Sequence, residues 1–187
     1  MLEYHKIKPG DIIISSPNSN TGTIFSKSVI YIISHDELGT YGVIVNKFLK
    51  NTILDSTANN ETSSNLAMYS GGPIEQSRGI ILHSNDYTAA PLMKVTSDIL
   101  ISSDTKIIKA IIANKGPKAK MLILGYASWL PNQLFTEIKD NYWLPILNAS
   151  SSEIFKLVFL EESNYKWDQA LKLTGINLAN YAPPGNA

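Results

Sequence analysis

Apolar residues in this chain come in short runs that are separated by polar or turn-forming segments. Five runs have the length and the β-branched content of strands, at residues 11–16, 29–33, 41–45, 79–83 and 121–124. The second and third of these runs are apolar on successive residues, which predicts strands covered on both faces. The segment 35–39 links them at the spacing of a β-hairpin.

Helical periodicity appears in the second half of the chain. Asp104 is the predicted N-cap of a helix that carries Ile107 and Ile111 on one face. Together with apolar strands at 99–101 and 121–124, this helix predicts a βαβ unit with a right-handed crossover. Further helices are predicted at residues 131–140, 152–159 and 165–174, and an extended segment at 142–147.

These elements predict an α/β (α+β) fold, with one domain over residues 1–187, a mixed β-sheet and peripheral helices. A length of 187 residues suits one domain, and folding at that length buries roughly 70% of the surface of the unfolded chain. Residues 49–66 are the most polar part of the chain. We interpret them as a mobile surface insert and not as a domain boundary, because the strands on either side need each other.

Composition excludes several classes of function. There are no cysteines, so disulfides and cysteine-ligated metal sites are excluded. Lysine plus arginine and aspartate plus glutamate balance at 16 each, and Arg78 is the single arginine, which argues against direct nucleic-acid binding. No apolar leader stands at the N-terminus, and the apolar runs fall far short of the ~20 residues that span a bilayer. We therefore expect a cytoplasmic protein with no membrane association.

The most informative segment runs from Gly125 to Ile138, where an apolar strand ends, the chain bends and a helix begins. On that helix Gln133 and Glu137 are i, i+4 neighbours at the edge of the apolar stripe, close to Trp129 at the bend. They either line a cleft under Trp129 or form a hydrogen-bonded brace that holds the bend. The brace is the more common use of half-buried polar side chains.

Two further polar positions lie where strands end. Gly71-Gly72-Pro73 could present backbone N–H groups as an anion nest, although a tight turn is its ordinary role. Asn46 ends an apolar strand, where its side chain either caps a neighbouring turn or faces a ligand, and capping is more common.

His35 and His83 both close apolar strands, so they could meet at one end of the sheet. With Glu137, or with the carboxylates at positions 36 and 37, they could act as an acid–base pair or hold a metal. Histidines that bond to the backbone are far more common at strand ends, and no metal-binding spacing is present. No metal or cofactor is predicted.

Several blocks of residues resemble the YqgE/AlgH family of bacterial proteins, in the right order over nearly the whole chain. The blocks are Gly10-Asp11, Ser16-Pro17, Phe25, Ser28-Val29, His35, Gly39, Gly42, Asn46, Gly71-Gly72-Pro73, Leu82-His83, Gly125–Trp129, Gln133-Leu134, Glu137-Ile138 and Trp143-Leu144. The resemblance implies a mixed sheet curled toward a barrel, and the name AlgH implies a regulatory role. The family usually has an acidic residue at position 135, where this chain has Phe135, so Glu137 is the remaining acid of that pair.

We predict a non-enzymatic binding or regulatory protein with one cleft at strand ends, for an unknown small ligand or protein partner. The cleft would gather Asn46, Gly71, Gly72, Pro73, His83, Trp129, Gln133 and Glu137. One alternative is an enzyme that uses His35 or His83 with Glu137. The other is a structural partner subunit, for which an exposed apolar patch would speak. The sequence leaves the ligand and the oligomeric state open.

Overall fold

The computed structural model describes residues 7–17, 19, 21–55, 63–89 and 93–176, and the side chains at 53–55 and 63–64 are not described. Its strands are β1 (Ile12–Ser15), β2 (Val29–Asp36), β3 (Gly39–Ile44), β4 (Phe48–Asp55), β5 (Ser63–Ser70), β6 (Ile74–Ser84), β7 (Met93–Lys94), β8 (Ile99–Ser102), β9 (Lys120–Trp129) and β10 (Trp143–Ile146). Its helices are α1 (Thr105–Ile112), α2 (Gln133–Lys139), α3 (Ser151–Phe155), which continues as a π-helix (Lys156–Leu160), and α4 (Ser163–Leu173).

The strands form one mixed sheet in the order β10-β1-β2-β3-β9-β6-β8-β7. Strand β9 is the central strand of this sheet. It pairs with β6 along one of its sides and with both β5 and β3 along the other. The β5–β9 pairing is parallel and the others are antiparallel. The result is a single α+β domain whose sheet curls toward a barrel, with the helices on its periphery. The predicted fold class is confirmed.

Both faces of the central strands are buried, as their continuous apolar runs predict. On β2, Val29 and Tyr31 belong to a core covered by the π-helix and α4. Ile30 and Ile32 belong to a second core, which α2 covers. A third and smaller core lies under α1, against Ile81 of β6.

Helix α1 begins directly after Asp104, the residue that the sequence predicts as its N-cap. The Asp104 carboxylate accepts a hydrogen bond of 2.8 Å from the backbone N–H of Lys106, and Ile107 and Ile111 are buried below it. Strands β8 and β9 both run antiparallel to β6, which lies between them, so β8-α1-β9 is a parallel crossover. Strand β10 pairs with β1, which confirms the predicted extended segment at 142–147.

The polar segment 49–66 differs from its interpretation as a surface insert. Residues 56–62 lie outside the described residues, but on either side of them β4 and β5 pair as a hairpin. The β5 strand continues the main sheet through its pairing with β9, and Leu66 is buried in the core under α1. Asn51 and Asn65 are tolerated here because both are exposed, and backbone pairing carries the structure.

Candidate functional site

The Glu137 carboxylate lies at the centre of a hydrogen-bond cluster at the end of β9. Its Oε2 atom accepts hydrogen bonds from the indole N–H groups of Trp129 (2.8 Å) and Trp143 (2.6 Å). Its Oε1 atom accepts a bond of 2.8 Å from the side-chain amide of Gln133. We call these four residues the Glu137 cluster. Both carboxylate oxygens are engaged, so the cluster has the geometry of a brace.

The Glu137 cluster fixes the bend between β9 and α2. The Gln133 side-chain oxygen accepts a bond of 2.9 Å from the backbone N–H of Leu130, and the two indole rings stand edge to face, 5.6 Å apart. Trp129 is 5% exposed and Trp143 is 3% exposed, so both rings are core residues. A cavity of about 260 Å³ adjoins the cluster, with Tyr142 at its exposed wall. The i, i+4 spacing predicts the Gln133–Glu137 contact. The sequence does not predict the hydrogen bond from Trp143 to Glu137.

The Gly71-Gly72-Pro73 turn uses its backbone for packing. The N–H of Gly71 donates to the Leu124 carbonyl (2.7 Å), and its carbonyl accepts from the Ile44 N–H (2.8 Å). A Cβ atom on Gly72, which has φ +154°, would collide with the Tyr126 backbone on β9. The glycines are therefore explained by the close approach of two backbones, and the Gly71 N–H is not available to an anion.

The Asn46 side chain is a structural cap. Its oxygen accepts a bond from the Val29 N–H (2.8 Å), and its amide donates to the Lys27 carbonyl (2.8 Å). It thereby closes the turn that leads into β2, which is the more common of its two predicted roles.

His83 is fully buried, and both of its ring nitrogens are engaged. Its Nδ1 atom lies 2.9 Å from the Ser84 carbonyl, and its Nε2 atom lies 2.9 Å from the Ser102 hydroxyl. Because a carbonyl only accepts, Nδ1 carries the proton and Nε2 accepts from the hydroxyl. Burial lowers the pKa of His83, so its neutral form is favoured.

The sheet separates His83 from the other candidate residues. His83 pairs with Lys120 at the start of β9, whereas Trp129 ends β9 and pairs with Thr40. At about 3.3 Å per residue, these two positions are on the order of 30 Å apart along the strand. The expected single cleft and the expected His83–Glu137 pair are therefore not formed. The physical reason is strand direction: β6 runs antiparallel to β9, so the end of β6 lies beside the start of β9.

His35 lies at a different site, which we call the strand-end cleft. This cleft has a volume of about 440 Å³ and lies between the end of β2, the start of β3, the turn after β9 and α2. The Nδ1 atom of His35 is 2.7 Å from the hydroxyl of Thr40, its cross-strand partner. The lining residues are Ile7, His35, Asp36, Glu37, Thr40, Pro131, Asn132, Leu134, Phe135 and Ile138.

Polar groups in the strand-end cleft remain available. The Nε2 atom of His35 and the carboxylate of Glu37 make no hydrogen bond to any of the residues that the structure describes. The Asp36 carboxylate uses one oxygen, Oδ1, to accept from the Leu38 N–H at 2.8 Å. Leu134, Phe135 and Ile138 of α2 supply the apolar wall.

His35 and Glu137 lie at different cavities. The residue at 135 lines the strand-end cleft, whereas Gln133 and Glu137 line the cavity beside the Glu137 cluster. His35 and Glu137 are therefore not hydrogen-bonded to each other: His35 contacts Thr40, and both Glu137 oxygens accept from other donors. Thr40 and Asn132 are cleft residues that the sequence did not single out. Thr40 could have been predicted, because the hairpin pairs it with His35. The left-handed backbone of Asn132 (φ 62°) is visible only in the structure.

Two wider properties bear on the class of protein. Within the described ranges, no cluster of three or more histidine, aspartate and glutamate side chains could hold a metal ion. Over the same part of the chain, none of the helices combines the length and apolarity needed to cross a bilayer.

The fold and the cleft define a single-domain α+β protein with a curled mixed sheet and a polar cleft where strands end. The chain belongs to the AlgH-like family, whose family model matches residues 12–179. A UPF0301 protein of Rickettsia felis is 34% identical over 190 residues, covering 98% of this chain and 97% of that protein. A UPF0301 protein of Rickettsia prowazekii is 35% identical over 179 residues, covering 93% and 92%. The resemblance to the YqgE/AlgH family is confirmed.

Two solved structures share the fold. The solution structure of the AlgH protein from Pseudomonas aeruginosa has a TM-score of 0.69 and 24% identity, and covers 94% of each chain. The crystal structure of protein DIP2367 from Corynebacterium diphtheriae has a TM-score of 0.58 and 22% identity, and covers 79% of this chain and 78% of that one. At these identities the likeness shows the fold alone.

Proposed function

We propose that this protein is a non-enzymatic binding or regulatory protein whose binding site is the strand-end cleft. One observation carries the proposal. The polar side chains of Asn46, His83 and Glu137 are fully engaged in structural hydrogen bonds. In contrast, the Nε2 atom of His35 and the Glu37 carboxylate have no hydrogen-bond partner among the described residues, so both can contact a ligand. A cleft of about 440 Å³ with an apolar wall and a few convergent polar groups is typical of ligand sites.

The cleft favours a cation that carries an apolar body. Asp36 and Glu37 place two carboxylates at its polar side, and Leu134, Phe135 and Ile138 form the opposite wall. An ammonium or guanidinium group would pair with the carboxylates while its carbon skeleton lies on the wall. Such a group is found both in small amines and in the lysine and arginine side chains of a partner protein.

The geometry gives less support to the enzymatic alternative. A general acid–base pair must lie within hydrogen-bond reach or one water of each other. His83 is at the far end of the sheet from Glu137, and His35 and Glu137 line different cavities. Both Glu137 oxygens are already acceptors for three donors.

A titration followed by the NMR signals of the histidine side chains tests the proposal. Phenethylamine serves as a cation with an apolar body, and phenylacetate as its anionic counterpart. We expect phenethylamine to shift the signals of His35 in a saturable way and to leave those of buried His83 unchanged. Saturable binding that shifts His83 alone, or equal binding of the amine and the acid, would refute the site.

A matched pair of variants locates the charge. Glu37→Gln should weaken phenethylamine binding about two- to five-fold, which is the upper part of the usual scale for one exposed charge pair. Glu162→Gln makes the same charge change on an exposed residue at the start of α4 and should leave binding unchanged. Equal effects of the two variants would show a non-local field effect in place of a contact.

The exposed rim of the cleft favours a second candidate function, a structural partner subunit. Leu38 is 81% exposed and Leu130 is 73% exposed, and a Cβ atom on Gly39 would lie 3.7 Å from the Leu130 carbonyl carbon. Two exposed leucines on adjacent turns are suited to contact with another copy of the chain. Sedimentation equilibrium tests this candidate. A mass above that of the monomer should fall in the Leu38→Ser/Leu130→Ser variant and persist in the Leu49→Ser control, and a monomeric wild type would exclude it.

A further inference from the structure

Another cavity lies at the opposite end of the sheet from the strand-end cleft. Its volume is about 480 Å³, and it is bounded by the end of β6, the start of β9 and the π-helix. We call it the π-helix cavity. Its lining includes Ser84, Lys118, Lys120, Phe155, Phe159 and Leu160.

One side of the π-helix cavity is basic. The Lys120 ammonium donates one bond of 3.0 Å to the Pro117 carbonyl, which leaves two of its N–H donors for other acceptors. Lys118 is exposed beside it and adds a second ammonium. The carboxylate of Asp86, also at this cavity, accepts from the Ser84 hydroxyl (2.5 Å) and from the Lys118 backbone N–H (3.2 Å). These donors fix its position but do not cancel its charge, so the two ammonium groups leave one net positive charge at the cavity.

The other side of the π-helix cavity is apolar. The rings of Phe155 and Phe159 lie 5.0 Å apart and form one aromatic wall. Leu160 continues this wall at the rim and is 67% exposed, among the most exposed large apolar side chains of the described residues. A surface of this kind is suited to a hydrocarbon chain or ring.

A buried lysine supports the π-helix behind this wall. Lys166 is 1% exposed, and its ammonium donates to the carbonyls of Val158 (2.5 Å) and Val45 (2.9 Å), with the ring of Tyr69 at 5.4 Å. The Val158 carbonyl belongs to the π-helix itself. π-helices are rare and occur frequently at functional sites. The hydrogen bond from the buried Lys166 ammonium to the Val158 carbonyl stabilises the π-helical backbone of this segment.

From these four observations, we propose that the π-helix cavity binds a small amphiphilic carboxylic acid. The carboxylate would accept hydrogen bonds from Lys118 and Lys120, and the hydrocarbon part would lie on Phe155, Phe159 and Leu160. Charge complementarity selects an anion over a cation, and the aromatic wall selects an apolar body over a free inorganic anion. The proposal is independent of the strand-end cleft, because the two cavities lie at opposite ends of β9.

Calorimetric titration of the full chain with octanoate tests this inference, with 1-octanol as the uncharged probe and acetate as the probe without an apolar body. We expect saturable octanoate binding that is at least ten-fold tighter than the binding of either control. The affinity should also fall as salt rises from about 0.05 to about 0.5 M, because added ions screen exposed charges. Equal affinity for octanoate and octanol, or no saturable binding of octanoate, would overturn the proposal.

Variants test the two sides of the cavity separately. Lys118→Gln/Lys120→Gln should weaken octanoate binding at least ten-fold, whereas Lys106→Gln/Lys109→Gln on α1 carries the same charge change and should have no effect. Leu160→Ser, at an exposed position that folding does not need, should weaken binding several-fold. Wild-type affinity in either the Lys118/Lys120 variant or the Leu160 variant would contradict the assignment of that side, and with it the amphiphilic ligand.

Discussion

Replacing Glu137 by glutamine should destabilise the protein, because the Glu137 cluster requires two acceptor oxygens. In the wild type, Oε2 accepts from Trp129 and Trp143, and Oε1 accepts from Gln133, whose own oxygen accepts from the Leu130 N–H. An amide at 137 keeps one acceptor and adds a donor. If its oxygen serves the indoles, its NH₂ group opposes the Gln133 NH₂ group. Turning the Gln133 amide only moves this conflict to the Leu130 N–H.

The magnitude follows from the bonds that are changed. Hydrogen bonds to a charged group contribute about 1.5–3 kcal/mol and neutral ones about 0.5–1.5 kcal/mol, so each indole bond loses about 1 kcal/mol. The third bond, from Gln133, is lost altogether, but it is exposed to water, so its loss adds only about 1 kcal/mol more. Because Glu137 is half-buried beside an open cavity, water will recover part of this. We expect a loss of about 2–3 kcal/mol, or a fall in Tm of roughly 5–10 °C for a chain of this size.

Urea unfolding followed by tryptophan fluorescence measures this loss. Glu37→Gln is the matched control, since its carboxylate makes no hydrogen bond to any described residue and its substitution should change stability by less than about 0.5 kcal/mol. If Glu137→Gln is as stable as this control, the carboxylate is not a structural brace. Glu137 would then again be a candidate ligand-binding residue.

Three other predictions concern stability. Gly72→Ala should cost about 3 kcal/mol in the free energy of unfolding, because its Cβ meets the β9 backbone. Gly22→Ala, at φ +79° with open space around it, should cost only about 1 kcal/mol, and urea unfolding measures both variants. Burial lowers the pKa of Lys166 from 10.5 to about 8, so between these values the unfolded chain binds more protons and stability should rise with pH, by on the order of 3 kcal/mol. Urea melts from pH 7 to 10 should show this rise in the wild type but not in Lys166→Met. Burial also lowers the pKa of His83, so stability should fall as pH drops below about 6.5, and His83→Gln should flatten that part of the profile.

Local patterns in the sequence predict most of the elements. The continuous apolar runs at 29–33 and 41–45 predict strands buried on both faces, and α1 begins at the capping residue Asp104. These patterns do not predict the β4–β5 hairpin. Backbone pairing stabilises it, and its serine and asparagine residues interrupt the apolar alternation that indicates a strand. Local patterns also do not predict the π-helix at 156–160, because its Val158 carbonyl accepts a hydrogen bond from Lys166, a residue on the next helix.

The candidate site was harder to predict, because it depends on the direction of strands that are distant in sequence. His35 and His83 both end strands, and sequence alone does not say which ends meet. In the sheet β2 and β9 run parallel to each other, with β3 between them, so His35 lies at the same end as Trp129. Strand β6 runs the opposite way, so His83 lies at the far end of the sheet. Gln133 and Glu137 were predictable as neighbours because their contact lies within one helix.

The most direct test of the account is the phenethylamine titration read at His35 and His83 in the same sample. Occupation of the strand-end cleft predicts a saturable shift of the His35 signals, weakened by Glu37→Gln and kept in Glu137→Gln, with His83 unmoved. A response at His83 without His35, or binding that is lost in Glu137→Gln while the fold is intact and kept in Glu37→Gln, would contradict it.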